Sequence, residues 1–471
     1  MVKQKSTILI ASMVCSSLGY ATSKTMFIPR LITTDQVFEL GLTNYQFHRN
    51  KNESTTKISV KPFYQNSHAA HSLAKFFLPN KKTSVTLRED GTGDINPLWL
   101  NLISPAHTSY ASTLSLKPKR TSTGAVLTWY SDLSSYVNHL WLGINTAIVH
   151  TKHNLHLQES NSANPGTLAG FTNACDAFNN SDWSAGRLSC CSQTLTRLDD
   201  IQIKIGYDCI DTNDVQISPY AVGTIPTGKR PKARYLFEPL VGSKHGSLGF
   251  GLNADFTLCS NLSFMADAKY AYAFASSERR SFDLNNGDWS RYLLVVTQAE
   301  PFTTFPGINS FTKKVRVTPG NTFQLWSALH YQDTSWHYEL GYNFWLRGKE
   351  KIRIKSCSIH AECSQTPIGI FDMIRACNAS ATTAHTAQIS QSIVGTNLVV
   401  SDTQFTPTRI EDLNICSAAN SRVLSNTLYG SCGYQCASAP VLLALHGSYE
   451  FTNSYGAINQ YALWGTFEIQ F

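Results

Sequence analysis

Residues 248–258 read LGFGLNADFTL, and after the short turn Cys259-Ser260-Asn261 residues 262–274 read LSFMADAKYAYAF. In the first run Leu248, Phe250, Leu252, Ala254, Phe256 and Leu258 alternate with Gly249, Gly251, Asn253, Asp255 and Thr257. In the second, Leu262, Phe264, Ala266, Ala268, Tyr270, Tyr272 and Phe274 stand against Ser263, Asp267 and Lys269. Side chains two apart share one side of a strand, so each run has an apolar face and a polar face. Both runs exceed the usual strand of about five or six residues and reach the length a tilted strand needs to cross a bilayer. The pattern recurs. Ile201, Ile203, Ile205 and Tyr207 oppose Gln202, Lys204, Gly206 and Asp208, while Trp336, Tyr338, Leu340, Tyr342, Phe344 and Leu346 oppose His337, Glu339, Gly341 and Asn343.

Composition agrees with a surface shared between oil and water. Only 15% of the 471 residues are charged, against roughly 25% in a typical soluble domain, while aromatics reach 11%. The formal charge of +7 is scattered and no nucleic-acid module accompanies it, so nucleic acid is not an expected partner. At the start, Lys3 and Lys5 precede an apolar run from Thr7 to Leu18 and the small-residue site Gly19-Tyr20-Ala21. This reads as a signal peptide over 1–21, with export across the inner membrane. No later stretch has the ~18 to 20 continuous apolar residues of a spanning helix, so entry into a membrane falls to strands.

The end of the chain carries the most specific signal. Tyr461, Leu463, Gly465, Phe467, Ile469 and the terminal Phe471 share one face, opposite Gln460, Thr466, Glu468 and Gln470. Here the sequence resembles the outer-membrane β-barrel superfamily, whose last strand ends in an aromatic residue. The resemblance implies a bacterial outer-membrane location and makes Phe467, Ile469 and Phe471 the insertion signal, with the barrel-insertion machinery as a partner. The expected fold is all-β, a transmembrane antiparallel barrel of about sixteen strands (12–18) over residues 83–471 with long extracellular loops. Strands are expected near 83–89, 95–102, 110–117, 121–131, 137–150, 197–210, 215–224, 245–258, 261–275, 289–298, 308–317, 321–332, 335–354, 420–429, 440–451 and 457–471. Residues 22–82 have no clear pattern and read as a periplasmic tail, a plug or extra strands.

Few segments carry recognisable chemistry. The run after Leu346 places Arg347, Lys349, Lys351, Arg353 and Lys355 on the face of His337, Glu339 and Asn343, a basic ladder expected to draw anions to the outer mouth of a pore. The solvated-face reading of such a charge run stands beside it. Lys229, Arg230, Lys232 and Arg234 form a basic loop, commonly a solvated one, with folding inward as a constriction or binding lipopolysaccharide phosphate as the functional readings. Twelve cysteines, less Cys15 in the leader, leave an odd number. Disulfides are expected among Cys175, Cys190, Cys191, Cys357, Cys363, Cys377, Cys416, Cys432 and Cys436, the odd thiol linking neighbouring barrels or a homo-oligomer. None shows paired metal-ligand spacing, and no metal or cofactor is implied. His-x-Ser spacings at His107/Ser109, His245/Ser247 and His446/Ser448 are a weak signal where chance supplies about one or two, and no enzyme is expected. The functional expectation is a porin passing small polar solutes, with anion preference. Two alternatives stay open: a structural or adhesive barrel with disulfide-tied outer loops, and a plugged small-molecule transporter. Outer-membrane lipid and lipopolysaccharide are the expected surroundings.

Overall fold

The computed structural model describes residues 23–42, 56–68, 71–102, 110–163, 171, 173–212, 214–300, 303–354, 367–371, 383–391, 405–436, 439–452 and 454–471. Twelve strands form one closed antiparallel meander: β1 (Thr56–His68), β2 (Lys119–Asp132), β3 (Leu140–Asn154), β4 (Ile201–Tyr207), β5 (Val215–Ile225), β6 (Ser247–Cys259), β7 (Leu262–Ala273), β8 (Thr322–Asp333), β9 (Trp336–Arg347), β10 (Val423–Gln435), β11 (Val441–Phe451) and β12 (Asn459–Gln470). Each strand pairs with the next in the chain, and β12 returns to β1 from Lys57↔Gln470 through His68↔Asn459. Two short extra strands, Gln193–Leu198 and Ile210–Asp211, pair with β3 and β5. Closure leaves no open edge in the ladder, which is the condition for β structure to sit in lipid.

The alternation read in the sequence is the wall's inside–outside pattern. Leu252, Leu340, Leu445 and Leu463 face outward, each roughly half to two-thirds exposed, while Asp267, Lys269, Asn343 and Thr427 face inward and are buried. Outward aromatics gather at the strand ends. Tyr64, Tyr272, Phe274, Phe323, Tyr449 and Tyr461 mark one rim, and Tyr207, Tyr331, Trp336, Tyr338, Tyr434 and Phe471 the other. A closed cylinder with an apolar belt between two aromatic girdles is a barrel of the outer-membrane kind. Phe471 seals the seam, since its N–H and carbonyl bond the Thr56 carbonyl and N–H at 2.9 Å each. Both ends of the barrel chain thus lie at one rim, the periplasmic one by the convention of such barrels.

The strand count of about sixteen is corrected to twelve. Ser84–Arg88, Ala111–Ser115, Leu294–Thr297 and Thr312–Thr318 are strands, but of a cap over the other rim, and the stretch 95–102 holds one 3-10 turn, Pro97–Leu100. Their apolar faces pack against one another instead of lipid. Phe178 makes edge contacts with Trp183, Trp289 and Tyr292, and Trp183 stacks on Tyr292. Alternation is the same whether the apolar face meets a bilayer or a neighbouring sheet. Conversely β1 falls inside the stretch 22–82, so the barrel begins at Thr56 and not near residue 83. The run 335–354 is also divided. The chain turns at Gly348, whose carbonyl lies so close to Gly320 that a Cβ there would stand 2.0 Å from it, and beyond the turn Lys351–Arg353 joins the cap.

The lipid belt gives a direct test. Leu445 is outward and mid-strand in β11. Leu445→Arg should cost about 2–4 kcal/mol of folding free energy, measured by urea titration in lipid vesicles, and an unchanged midpoint would place this face away from lipid.

A plugged lumen with a cavity beneath the cap

Residues 23–42 run through the inside of the barrel. At the cap, the Lys24 N–H donates to the Phe76 carbonyl at 2.9 Å and the Thr25 N–H to the Ser417 carbonyl at 3.2 Å. At the other end the Leu42 N–H bonds the Glu339 carboxylate at 3.2 Å. Between them lies one short helix, α1 (Gln36–Leu40), started by Asp35, whose carboxylate accepts from the Val37 N–H. Helix α1 is wholly buried. Val37, Phe38 and Leu40 pack on Phe63, Val126, Met265, Trp326 and Trp464 from the inner wall, with Phe38 4.8 Å from the Trp464 ring.

Polar groups of the wall are answered by this segment. Glu39 is clamped by Lys204 at 2.5 Å and Lys269 at 3.4 Å. Lys61 donates to the carbonyls of Phe38 and Glu39 at 2.7 and 2.9 Å. Gln36 bonds Asp267 and Asn343. Arg30 pairs with Asp35 at 2.9 Å and donates to Asn343 and Gln324 at 2.6 and 3.0 Å. A buried charge without a partner costs several kcal/mol, so inward lysines on lipid-length strands require an acid from elsewhere, and Glu39 supplies it. That requirement was readable in Lys204 and Lys269. Their partners in the stretch 22–82 were not.

Two cavities flank the clamp. The one beneath the cap has a volume of about 110 Å³, and Val222, Leu240, Ala271, Ala273 and Trp345 give it mostly apolar walls. The other, about 60 Å³, lies toward the periplasmic rim between α1 and Tyr130, Trp141 and Tyr220. Lys269 borders the first, Glu39 and Lys204 border the second, and Gln202 borders both. In the upper cavity the guanidinium groups of Arg30 and Arg347 lie over the Trp345 ring at 5.5 and 5.6 Å. Arg347 Nη1 donates to the Ile28 carbonyl at 3.2 Å. Its Nε and Nη2, like Arg30 Nε, are buried with no hydrogen-bond partner among the described residues.

The roof of this cavity holds a buried ion cluster. His245 donates from Nδ1 to the Phe274 carbonyl at 2.8 Å and from Nε2 to Glu278 at 2.7 Å. Arg280 bridges Glu278 and Glu350 at 2.6 and 3.2 Å. Burial disfavours the imidazolium, but the bond and charge of Glu278 outweigh it, and the His245 pKa is raised above its ordinary 6.5. For Glu278, burial is outweighed by Arg280 and then His245, and its pKa is lowered from 4.5. The sign follows for each. The His245 contribution is complete below pH 6.5 and is lost as pH rises through its raised value. The Glu278 contribution is complete above 4.5 and is lost as pH falls through its lowered value.

The sequence-derived ladder comes apart. Arg347 is inside the cavity, Lys349, Lys351 and Arg353 are exposed on the cap, and Lys355 lies outside the described residues. In the basic loop, Lys229 pairs with Glu238 at 3.2 Å. Arg230, Lys232 and Arg234 are exposed, while Pro231 between them lines the upper cavity. Cys175, Cys190, Cys191, Cys416 and Cys432 are free thiols, which corrects the disulfide expectation for them, and Cys209 and Cys259 are free as well. Cys432 and Cys436 are four residues apart along one extended stretch, roughly 13 Å, well beyond a disulfide's reach. Cys357, Cys363 and Cys377 lie outside the described residues, as do His107 and Ser109. His446 bonds Ser431 and Thr466 at 2.6 and 2.8 Å and stacks on Trp464. It is a wall residue facing the lumen, and Ser448 is not its partner. No metal-binding group of three or more side chains occurs among the described residues.

No family model and no curated protein matches the chain. Among solved structures it is similar to an outer membrane channel from Pseudomonas putida, with 9% identity, TM-score 0.42, and 90% of this chain and 98% of that one covered. The toluene transporter TodX of the same species shows 8% identity, TM-score 0.34 and 96% coverage of both chains. The translocator domain of the autotransporter NalP from Neisseria meningitidis shows 6% identity and TM-score 0.31 over 93% and 95%.

The His245 cluster makes the cap pH-dependent. Thermal unfolding should peak between about pH 4.5 and 6.5 and weaken above it, and His245→Gln should flatten that alkaline limb. A wild-type midpoint unchanged from pH 6 to 9 would reject the imidazolium assignment.

Proposed function

We propose that this chain is a plugged outer-membrane transporter for small solutes combining an apolar body with an acidic group. The observation that carries this reading is the upper cavity, where apolar walls surround Arg347 Nε and Nη2, buried and without a hydrogen-bond partner among the described residues. Apolar lining with a few convergent polar groups is the usual make-up of a small-molecule site. A carboxylate placed there would take the free Nε and Nη2 bonds together, the two-pronged geometry that guanidinium offers. Passage runs along β4 to β7 from the upper cavity to the lower, and Glu39 between Lys204 and Lys269 is the gate. Opening requires the plug segment to shift, because the clamp fills the space between the cavities.

This differs from an open porin in a measurable way. In planar bilayers the intact protein should show little steady conductance, and deletion of residues 23–42 or Glu39→Gln should produce frequent openings. Large ohmic conductance from the intact chain would reject the plug and favour free passage of polar solutes. The acid site is tested with octanoate as probe, read by quenching of tryptophan fluorescence. Arg347→Gln should weaken binding by about tenfold, the equivalent of one charged hydrogen bond. Equal binding by wild type and variant would remove Arg347 from the site.

A further inference from the structure

The three cap strands that extend the wall above β7, β8 and β9 form one sheet, Ser276–Ser281 beside Thr312–Thr318 beside Lys351–Arg353. One face is buried and carries Glu278, Arg280, Val315, Val317 and Ile352. The other is exposed and basic, with Arg279, Lys314, Arg316, Lys351 and Arg353, and Lys349 at its lower edge. Register makes the arrangement costly: Arg279 stands directly opposite Lys314, and Arg316 directly opposite Arg353. Like charges facing each other across a ladder destabilise it. The acids that could neutralise them, Glu278 and Glu350, are turned to the buried side and taken by His245 and Arg280. None of these six cations pairs with a carboxylate among the described residues.

Arg316, Lys349, Lys351 and Arg353 line an open groove of about 660 Å³ whose floor includes the outward-facing ring of Tyr272. Tyr272, Phe274 and Phe323 belong to the aromatic girdle of the cap rim. The groove therefore opens on the lipid side, at the height where headgroups meet water. We propose that this face binds the phosphate groups of a phosphorylated glycolipid of the outer leaflet. The sugar phosphates lie in the groove, and the acyl chains run down the wall over β7 and β8. The match rests on charge complementarity and on position: a cluster of cations without counter-charges among the described residues, directly above an apolar belt.

The test uses the detergent-purified full chain and bis-phosphorylated lipid A, with bound lipid counted by native mass spectrometry. Wild type should retain lipid A, and raising salt from 0.15 to 1 M, a roughly threefold shorter screening length, should release it. The combined variant Arg316→Gln, Lys351→Gln, Arg353→Gln should bind about a hundredfold more weakly while keeping heat-modifiable gel migration. If that variant does not fold, Arg353→Gln alone should lose about fivefold. Dephosphorylated lipid A of the same acylation should bind like the variant. The proposal fails if the variant or dephosphorylated lipid binds as well as the native pair. It fails equally if inorganic phosphate displaces lipid A at equal concentration, marking a free-anion site, or if heparin binds more tightly, marking an acidic-polysaccharide site.

Discussion

Hydrocarbon offers no partner to a peptide group, and the whole molecule answers that one constraint. Every N–H and C=O in the spanning strands must find its partner in the neighbouring strand, so the ladder has to close. The seam between β1 and β12, ten paired positions ending where Phe471 meets Thr56, completes it. Closure then fixes the sorting of side chains. Outward positions meet lipid and are apolar. Inward positions are free to be polar, and the wall uses that freedom with lysine, glutamate, histidine and arginine.

An interior lined with charges raises a second requirement, because Lys204 and Lys269 take their carboxylate from off the wall. The segment 23–42 meets it. Arg30, Gln36 and Glu39 neutralise or bond groups from strands that are far apart in sequence, and Phe38 fills the space near Trp464. The filling is polar toward β7 to β9 and apolar toward β1 and β12. The two cavities beside the clamp both touch β4 to β7, which is why a passage would follow that side.

The barrel was largely legible because period-two alternation over ten or more residues survives in the bare sequence, as in β6, β7, β9 and β12. Three things were not. Cap strands such as Thr312–Thr318 alternate for the same geometric reason, and nothing local distinguishes a lipid-facing valine from Val315 in a core. Strand β1 places Lys57 and Lys61 inside and Pro62 outside, so its contrast is weak, and its role emerges only from partners at opposite ends of the chain. The basic ladder was a sound parity argument until Gly348, where the chain turns and side changes. Arg347 keeps its inward place and the later cations go to solvent. Trp345 shares the parity of Asn343 and Arg347, but its position beside two guanidiniums depends on Arg30, more than three hundred residues earlier.

The path of the first described residues bears on how such a molecule can be put together. Ser23 sits among cap residues while Thr56 starts the wall at the opposite rim, so the chain passes once through the cylinder before it begins to build it. A thread inside a sealed tube cannot be added from the side afterwards. The seam has to shut around a strand already in place, or the leading end has to be drawn up through a finished pore. The first order is the simpler, and it makes the earliest stretch of polypeptide the mandrel on which the staves are laid.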